Sequence, residues 1–325
     1  MGLIEQARAI IGARTPRRAW PPHFLSLALQ GGGSFGAFTW GVLDRLLEED
    51  EVAFDAISGA SAGAINAVLL ASGMIEGRAQ ARARLGRFWR RMSDAASFLP
   101  TASPAVAAMG GGFGLFPRLS PTLFNPFDLN PLREALVAEV DFEQLRAQSP
   151  VRLLIGATGV RDGRLRIFRE SELSLEATLA SACLPLLHRT VEVEGEAYWD
   201  GGYAANPPLI PLALASETAD LLVVQVTPST TERLPTTPSE IVKRLDQISF
   251  NATLNAEIAA LKLAKSLGAA PKLHRLRIHR ISAQDEFEGL ADENAANLGW
   301  RFLERLRESG RSAAEAWIAQ PAAPA

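Results

Sequence analysis

Apolar and polar positions follow two rhythms along the chain. Residues 24–29, 151–158 and 221–227 are short, nearly continuous apolar runs, the pattern of strands buried on both faces. Between them apolar residues recur at helical spacing: Phe38, Val42, Leu43, Leu46 and Leu47 within 37–49, then 78–92, 131–140, 173–182 and a long stretch over 238–267. A further strand is expected at 164–168, after the turn signal Arg161-Asp162-Gly163, and another at 273–281, where polar and apolar residues alternate. Two closing helices are expected at 297–308 and 313–319. Strands that alternate with helices in this way predict an α/β fold with a mainly parallel central sheet.

One stretch breaks the rhythm. Residues 93–131 carry Pro100, Pro104, Pro117, Pro121, Pro126 and Pro131, the run Gly110-Gly111-Gly112, and Phe98, Phe113, Phe116, Phe124 and Phe127. So long a connection is uncommon in a compact domain, and its phenylalanines argue against disorder. It reads either as a cap offering apolar surface near an active site or as a simple packed excursion. At the N-terminus Leu3, Ile4, Ala7, Ile10 and Ile11 recur at helical spacing, followed by Arg14, Arg17 and Arg18. This predicts a helical extension over 1–22, packed on its own domain or lying in transient contact with a membrane surface. With no internal repeat and no clear linker, residues 23–319 are expected to form one domain, with a frayed tail at 320–325.

Composition narrows the function classes. A chain of 325 residues with 47% hydrophobic content can bury a sizeable core. Its 33 basic and 36 acidic residues are dispersed and leave a formal charge of −3, which excludes a nucleic-acid partner as the expectation. The lone Cys183 permits neither an intrachain disulfide nor a cysteine-based zinc cluster, fits a reducing compartment, and is expected as a small buried hydrophobe. No apolar run is long enough to span a bilayer, and Glu5 and Arg8 interrupt what would be a signal-peptide core, so a cytoplasmic protein is expected.

The candidate chemistry begins where the run at 54–58 breaks into Gly59-Ala60-Ser61-Ala62-Gly63 and continues as an Ala-rich helical segment. The spacing G-x-S-x-G after a strand and before a helix is that of a nucleophile elbow: a serine in a strained turn, flanked by residues small enough to let strand and helix approach. It would place Ser61 at a helix N-terminus, whose free N–H groups favour the negative charge formed when an acyl carbonyl is attacked. Upstream, Gly31-Gly32-Gly33-Ser34-Phe35-Gly36 also follows a strand and precedes a helix. Such a loop aims backbone N–H groups at negative charge, either a dinucleotide pyrophosphate or an acyl oxyanion. Asp55 stands roughly where a ribose-binding acid is sought but precedes the apolar residues of its run, whereas that acid should end the strand. A serine also needs a base. Of His23, His188, His274 and His279 none sits in an obvious turn after a strand, and His274 and His279 are expected in solvated or packed roles. A carboxylate is offered by Asp200, at the end of Ala197-Tyr198-Trp199-Asp200 and followed by Gly201-Gly202, though an Asp-Gly hairpin turn competes with that reading.

Four blocks in order, the Gly31 to Gly36 loop, Gly59-Ala60-Ser61-Ala62-Gly63, Ala180-Ser181-Ala182-Cys183-Leu184-Pro185, and Asp200-Gly201-Gly202 closing with Asn206-Pro207-Pro208, resemble those of patatin-like phospholipases. The likeness runs from Leu25 to Thr227. It implies a three-layer α/β/α fold and hydrolysis of lipid acyl esters through a Ser–Asp dyad, with neither metal nor cofactor. Ser61 would be the nucleophile, Asp200 its base, and the N–H groups of Gly31, Gly32 and Gly33 the oxyanion hole. The chain departs from the family at Phe35, where a basic residue is usual; an apolar side chain there suits packing or an acyl chain. The substrate expected is a lipid acyl ester. An aliphatic polyester or neutral ester, or a catalytically silent lipid-binding module on the same fold, stands as the alternative.

Overall fold

A computed structural model describes residues 20–98, 130–268, 270–287 and 289–320. The expected N-terminal helix, apart from its last residues, the middle of the Pro- and Phe-rich stretch and the C-terminal tail lie outside the described residues.

The buried runs form the expected strands: β1 (Phe24–Leu29), β2 (Ala53–Gly59), β3 (Arg152–Gly159) and β7 (Asp220–Gln225). They pair in parallel in the order β3-β2-β1-β7, and β8 (Arg277–Ser282) adds in parallel beside β7. Three antiparallel strands complete the sheet. β4 (Leu165–Arg169) and β6 (Glu196–Asp200) both pair with β3, and β5 (Val191–Val193) forms a hairpin with β6.

Because side chains of a strand alternate between its faces, each central run feeds two cores. Leu25, Leu27 and Leu29, Leu153, Ile155 and Ala157, and Leu222 and Val224 share one hydrophobic cluster. That face is covered by α1 (Gly36–Leu46), α2 (Ala62–Met74), α3 (Arg78–Phe98), α4 (Pro131–Glu139), α6 (Leu175–Ser181) and α11 (Trp300–Ile318), with α5 (Phe142–Gln148) contributing Leu145. Ala28, Ala56, Leu154, Leu221 and Val223 point the other way, into a cluster closed by Leu209 and Leu212 of α7 (Leu209–Ala215) and by Leu254 and Leu261 of α8 (Pro238–Ser266). The result is a mixed, mostly parallel sheet between two helical layers.

Three local expectations are corrected. The strand expected over 273–281 begins only at Arg277, because Pro271 opens a short helix, α9 (Pro271–His274), with its ring at the first helical turn, where a missing N–H costs nothing. A further short helix, α10 (Ala283–Glu286), follows β8. The two closing helices are one, α11, which runs straight through Gly310. A Cβ at Gly310 would collide with the backbone of Phe38 in α1, so this glycine marks a close helix crossing rather than a break. Finally, the first residues of the Pro- and Phe-rich stretch continue α3 to Phe98.

Candidate active site

The turn between β2 and α2 holds Ser61 at φ 54°, ψ −129°, a conformation that residues with a side chain adopt only under constraint, at a cost of about 1–3 kcal/mol. Its neighbours supply that constraint. The Ser61 N–H donates to both the backbone oxygen (3.0 Å) and the hydroxyl (3.1 Å) of Ser181, at the end of α6. Gly63 lies so close to the backbone of Leu29 in β1 that any side chain there would clash. Asn66, one turn into α2, donates to the carbonyls of Ala62 and Gly36 and accepts from Trp89 Nε1, tying the elbow helix to the glycine loop. The hydroxyl is thus presented from a fixed turn at the C-terminal edge of the parallel strands, where open α/β sheets place their sites.

Asp200 reaches the same place through register. β2 pairs with β3 up to Gly59↔Ile155, and β6 pairs with β3 from Ala157↔Asp200, so the ends of β2 and β6 converge on Gly156. Gly201 packs on the Gly156 carbonyl and against Ala60. No hairpin follows Asp200: the chain enters a 3-10 turn (Gly201–Tyr203), and the actual hairpin turn of β5 and β6 is at Glu194 and Gly195, both with positive φ. The Asp200 backbone is fixed by its N–H to the Cys183 carbonyl (2.8 Å) and by the Thr158 hydroxyl, which donates to its carbonyl (2.8 Å). Its carboxylate is wholly buried. Oδ1 accepts the Gly202 N–H at 2.8 Å, while Oδ2 has no aligned hydrogen bond among the described residues. Burial pushes this carboxyl up to about 6, against the lowering influence of the adjacent Ser61 hydroxyl and the Gly202 N–H. The Ser61 hydroxyl thus neighbours the Asp200 carboxyl without an aligned hydrogen bond among the described residues, as is common before substrate is present.

The glycine loop lies against the elbow. A Cβ on Gly31 would come within 2.6 Å of Ser61 Cβ, so only glycine lets the two segments touch. Gly31 is itself engaged, since its N–H donates to Asn206 Oδ1 at 2.7 Å. The N–H groups of Gly32 and Gly33 make no hydrogen bond among the described residues. Gly33, at φ +59° and tight against the Ala295 carbonyl, turns the chain into the next 3-10 turn, where Ser34 N–H bonds that same carbonyl at 2.7 Å. Of the three expected donors, two are open and one is occupied.

The rival readings separate cleanly. Asp55 lies towards the start of β2, at the opposite end of the strand from the elbow, where it accepts from Ser26, Ser216, the N–H groups of Glu217 and Thr218, and Arg152. Those bonds give Asp55 a structural role at the end of the strand away from the elbow. His279 packs between Trp20 and Trp317 and bonds Asp220, His274 lies against Gly268, His23 bonds the Glu51 carbonyl, and His188 Nδ1 accepts the Leu184 N–H. Phe35 is buried and packs edge-on against Phe302. Cys183 is buried, and its thiol is pushed up to about 11 by that burial. Trp199 bonds Thr190, and Tyr198 packs on Phe168. Among the described residues no cluster of His, Cys, Asp or Glu is arranged to hold a metal ion, and no helix is long and apolar enough to cross a membrane.

Sequence reasoning assigned no role to Ser181, Asn206 or Thr227, although the first two sit inside blocks it singled out. Membership of those blocks was the available signal for Ser181 and Asn206, and Thr227 carried none. Which carbonyl or N–H each would find is a matter of contacts 120 to 196 residues apart.

The model of the family described as patatin-like phospholipase matches residues 27–213, a span that contains Gly31, Ser61, Asp200 and Asn206. A search of curated proteins gives no match. Among solved structures, the chain is similar to VipD from Legionella pneumophila (14% identity, TM-score 0.42, covering 91% of this chain and 66% of that one). It is also similar to the type III effector protein ExoU (17%, 0.38, covering 93% and 53%) and to the heterodimeric ExoU–SpcU complex from the type III secretion system of Pseudomonas aeruginosa (17%, 0.39, covering 92% and 52%). The chain thus spans less than two thirds of the length of each of these proteins.

Proposed function

Because this chain belongs to the patatin-like phospholipase family, we propose that it hydrolyses acyl esters of lipids, with Ser61 as nucleophile, Asp200 as its base, and no cofactor. The observation that carries the reading is a buried carboxylate with one oxygen committed: Oδ1 is pinned by the Gly202 N–H, Oδ2 has no aligned partner among the described residues, and the Ser61 hydroxyl neighbours the group. With its pKa raised to about 6, Asp200 is ionised at neutral pH yet basic enough to take a proton, which an ordinary carboxylate does poorly.

In the first half-reaction Asp200 Oδ2 removes the Ser61 hydroxyl proton as Oγ bonds to the acyl carbon. The carbonyl oxygen becomes an oxyanion, met by the open N–H groups of Gly32 and Gly33 and by the N-terminal dipole of α2. Collapse breaks the ester C–O bond, and the departing alcohol takes the proton from Asp200, leaving acyl-Ser61. In the second half-reaction Asp200 deprotonates a water that attacks the acyl carbon, and Ser61 regains its proton. The histidines take no part. Phe35, packed in the core, gives no support to a polyester or neutral ester over a lipid.

The test is labelling with a fluorophosphonate probe beside turnover of p-nitrophenyl esters of graded chain length, comparing wild type with Ser61→Ala and Asp200→Asn. Labelling confined to Ser61 and loss of turnover in both variants are expected. Retained turnover in Ser61→Ala refutes the mechanism, and labelling without turnover of any ester or extracted lipid identifies a silent binding module instead.

A further inference from the structure

We propose that Asn206 is a positioning residue for the oxyanion loop, setting the direction of the Gly32 N–H through two hydrogen bonds to the single residue Gly31. The inference rests on the serine-hydrolase reading and extends it to a side chain that touches neither Ser61 nor Asp200 by any hydrogen bond. Asn206 is fully buried. Its Oδ1 accepts the Gly31 N–H at 2.7 Å, and its Nδ2 donates to the Gly31 carbonyl at 3.2 Å. Thr227 adds a second donor to that carbonyl, its hydroxyl lying 3.1 Å away.

The consequence follows from the peptide plane. The Gly31 carbonyl and the Gly32 N–H belong to one planar trans unit and point in opposite directions. Holding the carbonyl towards Asn206 and Thr227 therefore turns the Gly32 N–H away from them. Without a side chain at Gly31, Gly32 or Gly33 to restrict the backbone, this loop would otherwise sample many orientations, and a donor aimed elsewhere gives no help to the transition state. A primary amide suits the task because one planar group carries both a donor and an acceptor, matching the N–H and C=O of a single residue. Asn206 is in turn held by α8: its own N–H bonds Thr253 Oγ1 at 3.1 Å, and Nδ2 also reaches the Phe250 carbonyl at 3.4 Å. The same helix supplies Asn251, which accepts from Gln30 Nε2, while Gln30 Oε1 takes the N–H groups of Val226 and Thr227. The loop is thus braced from a helix on the far layer of the sheet.

The experiment compares wild type, Asn206→Ala and Asn206→Asp on an ester and on the thionoester of the same acyl chain. A thiocarbonyl is a poor hydrogen-bond acceptor, so its hydrolysis draws little on the oxyanion loop. We expect kcat for the ester to fall roughly 100-fold in Asn206→Ala with KM little changed, and the ester-over-thionoester preference in kcat/KM to fall about tenfold. In Asn206→Asp the ionised carboxylate still accepts from Gly31 N–H but opposes the Gly31 carbonyl; its protonated form restores both bonds. Its activity relative to wild type is therefore expected to rise as pH falls. The preference is a ratio measured on one preparation, so a reduced folded fraction cancels from it. An unchanged preference in both variants overturns the proposal and leaves Asn206 a structural residue. Failure of the underlying reading shows elsewhere, as turnover retained in Ser61→Ala.

Discussion

Replacing Asp200 by Asn should make this protein more stable while silencing it, and the size of the gain follows from the burial of one carboxylate. The Asp200 carboxyl moves from an ordinary value of 3.8 to about 6 in the folded chain, chiefly by desolvation. Moving the carboxyl from 3.8 to about 6 corresponds to about 3 kcal/mol, at roughly 1.4 kcal/mol for each tenfold change in proton affinity. The sign is fixed by linkage: the folded state holds its proton more tightly than the unfolded state, so the favourable contribution is complete below about pH 4 and is lost as pH rises through about 6. At about pH 8 the wild type carries the whole penalty. The substituted side chain would be uncharged at every pH, would keep the bond from the Gly202 N–H, and would place an amide beside the Ser61 hydroxyl, which can accept from it. If that amide were left half satisfied it would cost about 1 kcal/mol, leaving a net gain of about 2 kcal/mol at high pH. Urea denaturation of both proteins at about pH 4 and about pH 8 measures the difference, and its pH-dependent part is free of the amide correction. Turnover should fall roughly 10²–10⁴-fold in the variant, and the wild-type kcat/KM should decline below about pH 6. A stability difference equal at the two pH values would refute the argument, because it would mean that Asp200 is not a buried charge held against its solvation.

Other substitutions separate packing from chemistry. Phe35→Arg, which restores the basic residue usual in the family, should destabilise by about 3 kcal/mol or more, because it puts a charge into the contact with Phe302; a melting curve no lower than wild type would show that the side chain can turn outwards. His279→Ala should cost about 1–2 kcal/mol by removing the bond to Asp220 and the packing between Trp20 and Trp317, with kcat per folded molecule unchanged, and His274→Ala should leave kcat unchanged as well. Abolished turnover in either, with folding intact, would return a histidine to the mechanism. Ser181→Ala removes one of two acceptors of the Ser61 N–H and should slow fluorophosphonate labelling several-fold, about 0.5–1.5 kcal/mol; labelling at the wild-type rate would place the strain of the elbow elsewhere.

Much of this arrangement was legible in the residues themselves. The apolar runs that became β1, β3 and β7, the helical spacing of α1 and α8, and the small-residue turn around Ser61 are all written in neighbouring positions, because strand and helix periodicity and turn chemistry depend on what lies within a few residues. Where local signals failed, a distant backbone had intervened. Gly310 looks like a helix stop until Phe38 is set against it, and Asp200-Gly201 looks like a hairpin until Gly156 is placed beneath it.

What the amino-acid order determined alone was the fold class, the elbow and a short roster of candidates. Only the tertiary structure decided how those candidates lie: that β2 and β6 end at the same point on β3, that Asp200 keeps one oxygen bound and one unaligned, that Asp55 is held by hydrogen bonds and Phe35 by packing, and that the Gly31 N–H is taken by Asn206 while those of Gly32 and Gly33 have no partner among the described residues. The physical reason is that hydrogen-bond occupancy and desolvation belong to pairs and surroundings. Gly31 and Asn206 are 175 residues apart in the chain and 2.7 Å apart in the fold, and nothing local to either records that distance.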